Sequence, residues 1–312
     1  MTHRAPTVLV QIREALARRV ADAAPGVEMV PIPWEGDLPP ATTGEVLLTL
    51  PWGSPNLSTI LTRGVRWIHA LGTGIDGFPL QLLTDQILTC SRGASATPIA
   101  EWVLAVMLAF EKRLPDAWIH DVPRTWSRMD LGGLHGKTLG LVGLGGIGRA
   151  VAERALPFGM RVRACRRTAA PAGIDGVELV DFATLVATSD HVVLAVPSTP
   201  DTRRLFDRAV FAALKPGVHL VNIARGSLVD QDALREALDD GRVALASLDA
   251  VEPEPLPQGH WMYSHPRVRL SPHISWSAPG AVDVLIECFI DNLGRYRAGQ
   301  SLTGVVDRAA GY

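Results

Sequence analysis

The stretch Gly143-Leu-Gly145-Gly146-Ile147-Gly148 constrains this chain more than any other, because of what flanks it. The apolar run KTLGLV leads into it and the helical pattern IGRAVAERALPFG leads out, so a strand turns directly into a helix. Each glycine of such a turn has its own steric duty. Gly143 permits the tight bend, Gly145 lets the backbone approach a pyrophosphate, and Gly148 allows close packing of helix on strand. The first N–H groups of the helix then face the phosphates. Glycines also mark ordinary turns. Here the strand before, the helix after and a further strand, RVRAC, make the reading a dinucleotide site.

Bulk properties exclude several alternatives. A chain of 312 residues buries a large core and divides more readily into two domains than one. With 30 Lys and Arg against 32 Asp and Glu, the formal charge of −2 gives no global field toward nucleic acid or an anionic membrane. Cys90, Cys165 and Cys288 are far apart and share no metal-ligand spacing, as in a reduced cytoplasmic protein. The opening MTHRAPTVLVQI lacks a signal-peptide core, and the longest apolar run, Trp102 to Phe110, is too short to span a bilayer. The expectation is a soluble cytoplasmic protein with no metal, nucleic-acid or membrane partner.

Apolar runs bounded by turn residues alternate with helical stretches, the pattern of an α/β protein with parallel sheets. TVLVQI, VEMVPI, EVLLTL, RWIHAL and ILTC are strand candidates in the first hundred residues. Thr97 and Pro98 then predict a capped, largely apolar helix through TPIAEWVLAVMLAFEKR. Beyond the glycines, HVVLAV, VHLVNIA, VALASLDAV and VRLSP read as strands, and Ala278 to Arg297 as a final amphipathic helix.

The second strand of a dinucleotide unit normally ends on an acidic residue for the ribose 2′-hydroxyl. Arg166 holds that place, 18 residues beyond Gly148, followed by Arg167 and Thr168, with no carboxylate close by in sequence. Two guanidiniums and a hydroxyl suit a 2′-phosphate, a charge-assisted contact of about 1.5–3 kcal/mol. Arg161 and Arg163 alternate along the strand and read as solvent-facing, and Arg203-Arg204 reads as an ordinary surface pair.

Three later segments end strands where such sheets place their chemistry. In HLVNIARGSLVD, Arg225 offers a rigid fork for a carboxylate. The segment ASLDAVEPEPLP offers three carboxylates, Asp249, Glu252 and Glu254, any of which could be merely solvated. In VRLSPHISWS, His273 offers a proton donor and acceptor. An anion anchor, a partner for imidazole and an acid/base behind a dinucleotide fold mean more together than singly.

At this level the chain resembles the D-isomer-specific 2-hydroxyacid dehydrogenases. The likeness runs through most of residues 70 to 308, in LGTGIDGF, LHGKTLGLVGLGGIGRAVA, VPSTPDTRRLF, LKPGVHLVNIARGSLVDQDALREALDDGRV, LDAVEPEPLP, SPHISW and DNLGRYRAGQSLTGVVD. The first 65 residues fit only in general pattern. The resemblance implies two flavodoxin- or Rossmann-like domains with the active site in the cleft between them. Residues 1–95 plus 285–312 would form the substrate-binding domain and 96–284 the dinucleotide domain. It implies a homodimer, with AEWVLAVMLA contributing to the interface.

Residue by residue, the resemblance makes Arg225, Glu254 and His273 the catalytic set, with Glu252 a bystander. Asp249 would lie near the nicotinamide amide, and Val196 and Pro197 beside the cofactor together with Gly143, Gly145, Gly146, Ile147 and Gly148. Thr73, Gly74 and Ile75 would receive the substrate carboxylate on backbone N–H groups, with Trp52 facing the substrate from a second loop. Arg166, Arg167 and Thr168 resemble the NADP(H)-using branch, which includes glyoxylate and hydroxypyruvate reductases. NADP(H) is thus the expected cofactor, with NAD(H) as a second choice. Trp276 is similar to a residue of that branch and reads equally as a core aromatic. Two alternatives remain at this level: a cofactor-sensing binding protein of corepressor type, and a phosphite-oxidising relative. A formate-dehydrogenase-like reading is disfavoured, since Glu254 stands where that branch has glutamine.

Overall fold

The computed structural model describes residues 6–122, 124–126, 128–168 and 170–312. The chain divides into two compact units, one running up to Ser95 and resuming at Ala278–Tyr312, the other Ala96–Ser277. The first therefore takes in residues 278–284, which the sequence reading places with the dinucleotide domain.

In the first unit, β1 (Val8–Val10), α1 (Glu14–Ala23), β2 (Met29–Pro31), β3 (Val46–Thr49), α2 (Leu57–Leu61), β4 (Trp67–Ala70) and β5 (Ile87–Cys90) follow one another. The strands β1, β3 and β4 are buried along their whole length, as expected of a parallel sheet covered on both faces. The strand order is β2-β1-β3-β4-β5, every pair parallel. That is the flavodoxin-like order.

The second unit begins with α3 (Ala96–Glu111). This helix starts before Thr97, so Thr97 is not its cap; its hydroxyl accepts from Arg154 instead. Pro98 stays in the first turn, where N–H groups have no helical partner anyway. The chain continues through β6 (Thr138–Val142), α4 (Gly146–Ala155), β7 (Arg161–Cys165), β8 (Val177–Leu179), α5 (Phe182–Thr188) and β9 (His191–Leu194). It goes on through α6 (Arg208–Ala213), β10 (Val218–Asn222), α7 (Gln231–Asp239), β11 (Val243–Leu248) and β12 (Val268–Leu270), before α8 (Ala281–Arg297) returns to the first unit.

Local chemistry sets the helix starts. The side chains of Asp181, Asp207 and Asp230 accept backbone N–H groups at the first turns of α5, α6 and α7. Along β9 the faces alternate: Val192 and Leu194 pack with α5 and α7, Val193 with α3 and α4. The seven-stranded order β12-β11-β10-β9-β6-β7-β8 is parallel throughout. From β6 the chain builds outward to β8, then returns to β9 on the other side. The switch point lies beyond the C-terminal ends of β6 and β9, where ligands bind in such sheets.

In the first unit α8 is held by Trp67, which stacks on Phe289 at 5.5 Å and on Tyr296 at 5.3 Å. An ion pair from Arg19 to Asp283 joins α1 to α8. No helix among the described residues is long and apolar enough to cross a membrane.

Candidate active site

A parallel sheet delivers all its strand ends to one rim. In the second unit that rim carries, in spatial order, the His273 loop after β12, the Asp249–Glu254 loop after β11 and the Arg225 turn after β10. It continues with Val196 and Pro197 after β9, the glycine loop after β6 and Arg166-Arg167 after β7. From β10 to β7 is three strand spacings, about 14 Å. The groups proposed for chemistry and those proposed for the 2′-phosphate thus sit at separate places on one rim.

The glycine loop fits a dinucleotide. Gly143 has φ +105°, and a Cβ there would lie 2.6 Å from Ala195 O and 2.8 Å from Val196 Cγ1. Gly148 packs against the Gly143 carbonyl, where a Cβ would overlap it. Gly145 differs, since a Cβ on it would meet nothing within 4 Å. Two glycines are therefore required by the fold itself, while the third leaves open space over the backbone. Gly145 is also the N-cap of α4 and no side chain caps that end, so the first N–H groups of Gly146, Ile147 and Gly148 carry no side-chain cap in the place where phosphates bind helices.

Beyond β7, Arg166 is half-buried, Arg167 and Thr168 are exposed, and Arg166 Nη1 lies 3.4 Å from Pro171 O. Arg163 is held by Glu178 at 2.8 Å and by the Thr188 hydroxyl, and Arg161 reaches Thr138 Oγ1. Folding brings one acid near that the linear sequence hides. Burial raises the Cys165 thiol above its ordinary range, and the charge of Asp181 adds to the effect. The Asp181 carboxylate is occupied in capping α5, accepting both the N–H and the hydroxyl of Thr184. Arg203 and Arg204 pair with Glu252 and Asp230 on the surface.

His273 Nδ1 lies 2.9 Å from Glu254 Oε2, and both side chains are part-exposed at 39%. With Nδ1–H donated to the carboxylate, Nε2 is the atom left for a substrate. Glu252 turns away to Arg203. His273 itself has φ +55°, in the left-handed region. Asp249, 2% exposed, holds its loop: its carboxylate accepts Ser271 Oγ at 2.5 Å and the N–H groups of Ile274 and Ser275 at 2.9 Å. Trp276 is 36% exposed rather than a core aromatic, and its indole N–H donates to the His273 carbonyl at 3.0 Å. Arg225 follows β10, half-buried, with Nη1 donating to Ala224 O at 2.7 Å.

In the first unit the structure brings together the loops after β3 and β4. A Cβ on Gly72 would overlap the Pro51 ring, and one on Gly77 would lie 3.3 Å from Trp52 Cβ. Trp52 is 58% exposed, Ile75 is buried in the core, and Thr73 and Gly74 are half-buried. Among the described residues no group of His, Cys, Asp and Glu is placed to hold a metal. Sequence reading misses Asn222, Ser227 and Ser271, each a polar residue whose partner arrives from another strand end. Ser227 Oγ, for example, meets Ser198 Oγ at 2.7 Å, joining the turns after β10 and β9.

The chain is similar to known proteins over most of its length. The family profile described as "D-isomer specific 2-hydroxyacid dehydrogenase, NAD binding domain" matches residues 104–275. Glyoxylate/hydroxypyruvate reductase A of Serratia proteamaculans is 32% identical over 283 residues, covering 84% of this chain and 87% of that protein. A D-isomer specific 2-hydroxyacid dehydrogenase from Xanthobacter autotrophicus Py2, solved with NADPH and MES, gives a TM-score of 0.83 at 26% identity, over 99% of this chain and 100% of that one. An NADPH-dependent glyoxylate/hydroxypyruvate reductase from Sinorhizobium meliloti, solved with NADP and sulfate, gives 0.83 at 25% identity, over 98% and 99%.

Proposed function

The chain belongs to the D-isomer-specific 2-hydroxyacid dehydrogenase family, and from that premise we propose that it is an NADP(H)-preferring reductase of small 2-oxo acids, of the glyoxylate and hydroxypyruvate class. The observation that carries the reading is the His273–Glu254 pair at 2.9 Å on the same sheet rim as Arg225 and the glycine loop.

The nicotinamide supplies a hydride to C2 of the substrate when bound. The guanidinium of Arg225 anchors the substrate carboxylate and polarises the carbonyl oxygen. His273 gives that oxygen a proton from Nε2, while Glu254 holds the ring through Nδ1 and stabilises the imidazolium. In reduction His273 gives up that proton, and in oxidation it takes one back. Thr73, Gly74 and Ile75 are assigned to the carboxylate through their N–H groups, and Trp52 to the substrate side, on the family resemblance. Gly143 to Gly148, Val196 and Pro197 would hold the dinucleotide. Arg166, Arg167 and Thr168 would bind its 2′-phosphate, which is the support for NADP(H) over NAD(H).

The reading extends to a homodimer. Trp118, Ile119, Val122, Trp126, Met129 and Leu131, which follow α3 closely in sequence, are all exposed, and large apolar side chains gathered in one exposed segment support an association surface. Sedimentation at micromolar concentration tests this, and a monomer overturns it. The three cysteines are free thiols, which supports a cytoplasmic setting.

Steady-state turnover of glyoxylate and hydroxypyruvate with NADPH and NADH tests the whole. Higher kcat/KM with NADPH is expected. Equal values for the two cofactors overturn the preference. NADPH binding without turnover of any small 2-oxo acid overturns the enzyme in favour of a cofactor-binding protein.

A further inference from the structure

Arg225, Glu254 and His273 stand on three separate loops, and a displacement of about 1 Å among reacting groups can cost ~10²-fold in rate. Something must fix the loops against one another. Between the second and third the brace is Asp249, described above. Between the first and second it is Asn222, the last residue of β10 and only 1% exposed.

Both ends of the Asn222 amide are engaged. Its Oδ1 accepts the Ala224 N–H at 3.0 Å and its Nδ2 donates to Arg225 O at 2.9 Å, closing the turn that presents Arg225. The same Nδ2 donates to Ala250 O at 3.3 Å, in the loop that goes on to Glu254. A second observation places the two loops side by side. A Cβ on Gly226 would overlap the backbone of Val251 and Glu252, so the Arg225 turn rests on that strand of chain. Gln231 Nε2 also donates to the Glu252 carbonyl.

We propose that Asn222 is a positioning residue for this reaction: it sets the Arg225 guanidinium against the Glu254–His273 pair by tying the Arg225 turn to the Ala250 carbonyl. The site asks for one acceptor and two donors within one short side chain, which is the inventory of asparagine. Aspartate would put a buried carboxylate against two carbonyl oxygens. Leucine would take from the Ala224 N–H and the Ala250 carbonyl the partner they have, and leave the Arg225 carbonyl only the Leu228 N–H at 3.4 Å. The inference rests on the reading of Arg225 as the substrate anchor.

The test is a double-mutant cycle on the full chain, with NADPH and glyoxylate. N222A is expected to lower kcat/KM for glyoxylate by about tenfold to a hundredfold and to leave the KM for NADPH within about twofold, since no cofactor-binding group has moved. In an R225A background the same change is expected to cost nothing further, because the residue acts through Arg225. The calorimetric Kd for oxalate, an unreactive dicarboxylate, is expected to weaken in parallel. If N222A does not fold, N222S replaces it in the cycle; one hydroxyl can accept from Ala224 and donate once, and an intermediate loss is expected. Unchanged kcat/KM in a folded variant, or losses that multiply with those of R225A, overturns the positioning role alone. A wild-type chain that turns over no 2-oxo acid overturns the functional reading, and this role with it.

Discussion

His273 is one of three non-glycine residues with positive φ among the described residues, a conformation costing roughly 1–3 kcal/mol that persists only where its surroundings enforce it. Here Asp249 enforces it through Ser271, Ile274 and Ser275. The imidazole is therefore aimed by a buried carboxylate and held by a part-exposed one. We expect His273→Ala to lower kcat/KM for 2-oxo-acid reduction by ~10²–10⁴-fold while NADPH binding, followed by fluorescence, persists. Two glutamates two residues apart offer an internal control. Glu254→Gln removes the charge beside Nδ1 and is expected to lower kcat/KM by at least about tenfold, part of the acid–base contribution. Glu252→Gln breaks only a surface pair with Arg203 and is expected to leave kinetics unchanged. A swap of those two results would exchange their roles. Arg225, Glu254 and His273 were legible as residue types at strand ends. Asn222 was not, because in VNIARG it reads as the polar end of a strand, and the Ala250 carbonyl that gives it work is 28 residues away.

At the scale of elements, burial decides what a sequence reveals. Strands covered on both faces, such as VHLVN and HVVL, are buried along their whole length and announce themselves as apolar runs. β8 does not, since it is three residues long, at the end of the sheet, with no buried residue. The glycine loop was legible because its glycines recur at a fixed spacing between a strand and a helix, even though the space at Gly143 is closed by Ala195 and Val196, about 50 residues on. Gly226 was visible only as part of a motif; its constraint comes from Val251 and Glu252 on the next strand end. Adding a methyl there forces two backbones apart, so Gly226→Ala is expected to destabilise the protein by roughly 1–3 kcal/mol, measured by urea unfolding, and to lower kcat/KM with it. At the other end of the rim, Arg166 and Arg167 belong to a loop rather than to β7. If they hold the 2′-phosphate, Arg166→Asp removes a charge-assisted contact of about 1.5–3 kcal/mol. That corresponds to a loss of about tenfold or more in kcat/KM with NADPH and none with NADH. An unchanged cofactor ratio would return the pair to ordinary solvated surface.

Across the whole molecule the two sheets were legible as alternating strands and helices, whereas the environments of the nine histidines were not. Sequence cannot say which of them lie in the dry interior. His69, in β4, is fully buried, and that burial lowers its pKa from 6.5 to about 3. Both of its ring nitrogens meet hydroxyl groups. Ser91 Oγ donates to Leu285 O and so accepts from His69 Nε2, while Nδ1 faces the Thr89 hydroxyl at 2.8 Å. In the second unit His219 is lowered well below 6.5, by burial first and then by His191 and Lys137. Its Nδ1 lies 3.2 Å from His191 Nδ1 and its Nε2 2.9 Å from Ser247 Oγ. Nearby Glu111, paired with Lys137 at 2.5 Å, is opposed by its own burial but held below the usual carboxylate range by His191, whose Nε2 lies 3.0 Å away, and by Lys137. The signs then follow. Unfolded histidine takes a proton near pH 6.5, which folded His69 refuses until about pH 3. The stabilisation is complete above pH 6.5 and declines below it by up to about 1.4 kcal/mol per pH unit for each such residue. The Glu111 contribution is lost only at lower pH, as the medium falls through its depressed value. Acid weakening is thus expected to begin between pH 6.5 and 5, ahead of any carboxylate, and to act in both units. Urea midpoints at pH 7.5, 6 and 5 measure it. His69→Asn, which keeps one donor and one acceptor, is expected to reduce the slope of stability against pH between 6.5 and 5. A flat profile over that interval would mean that neither histidine is held neutral by the fold.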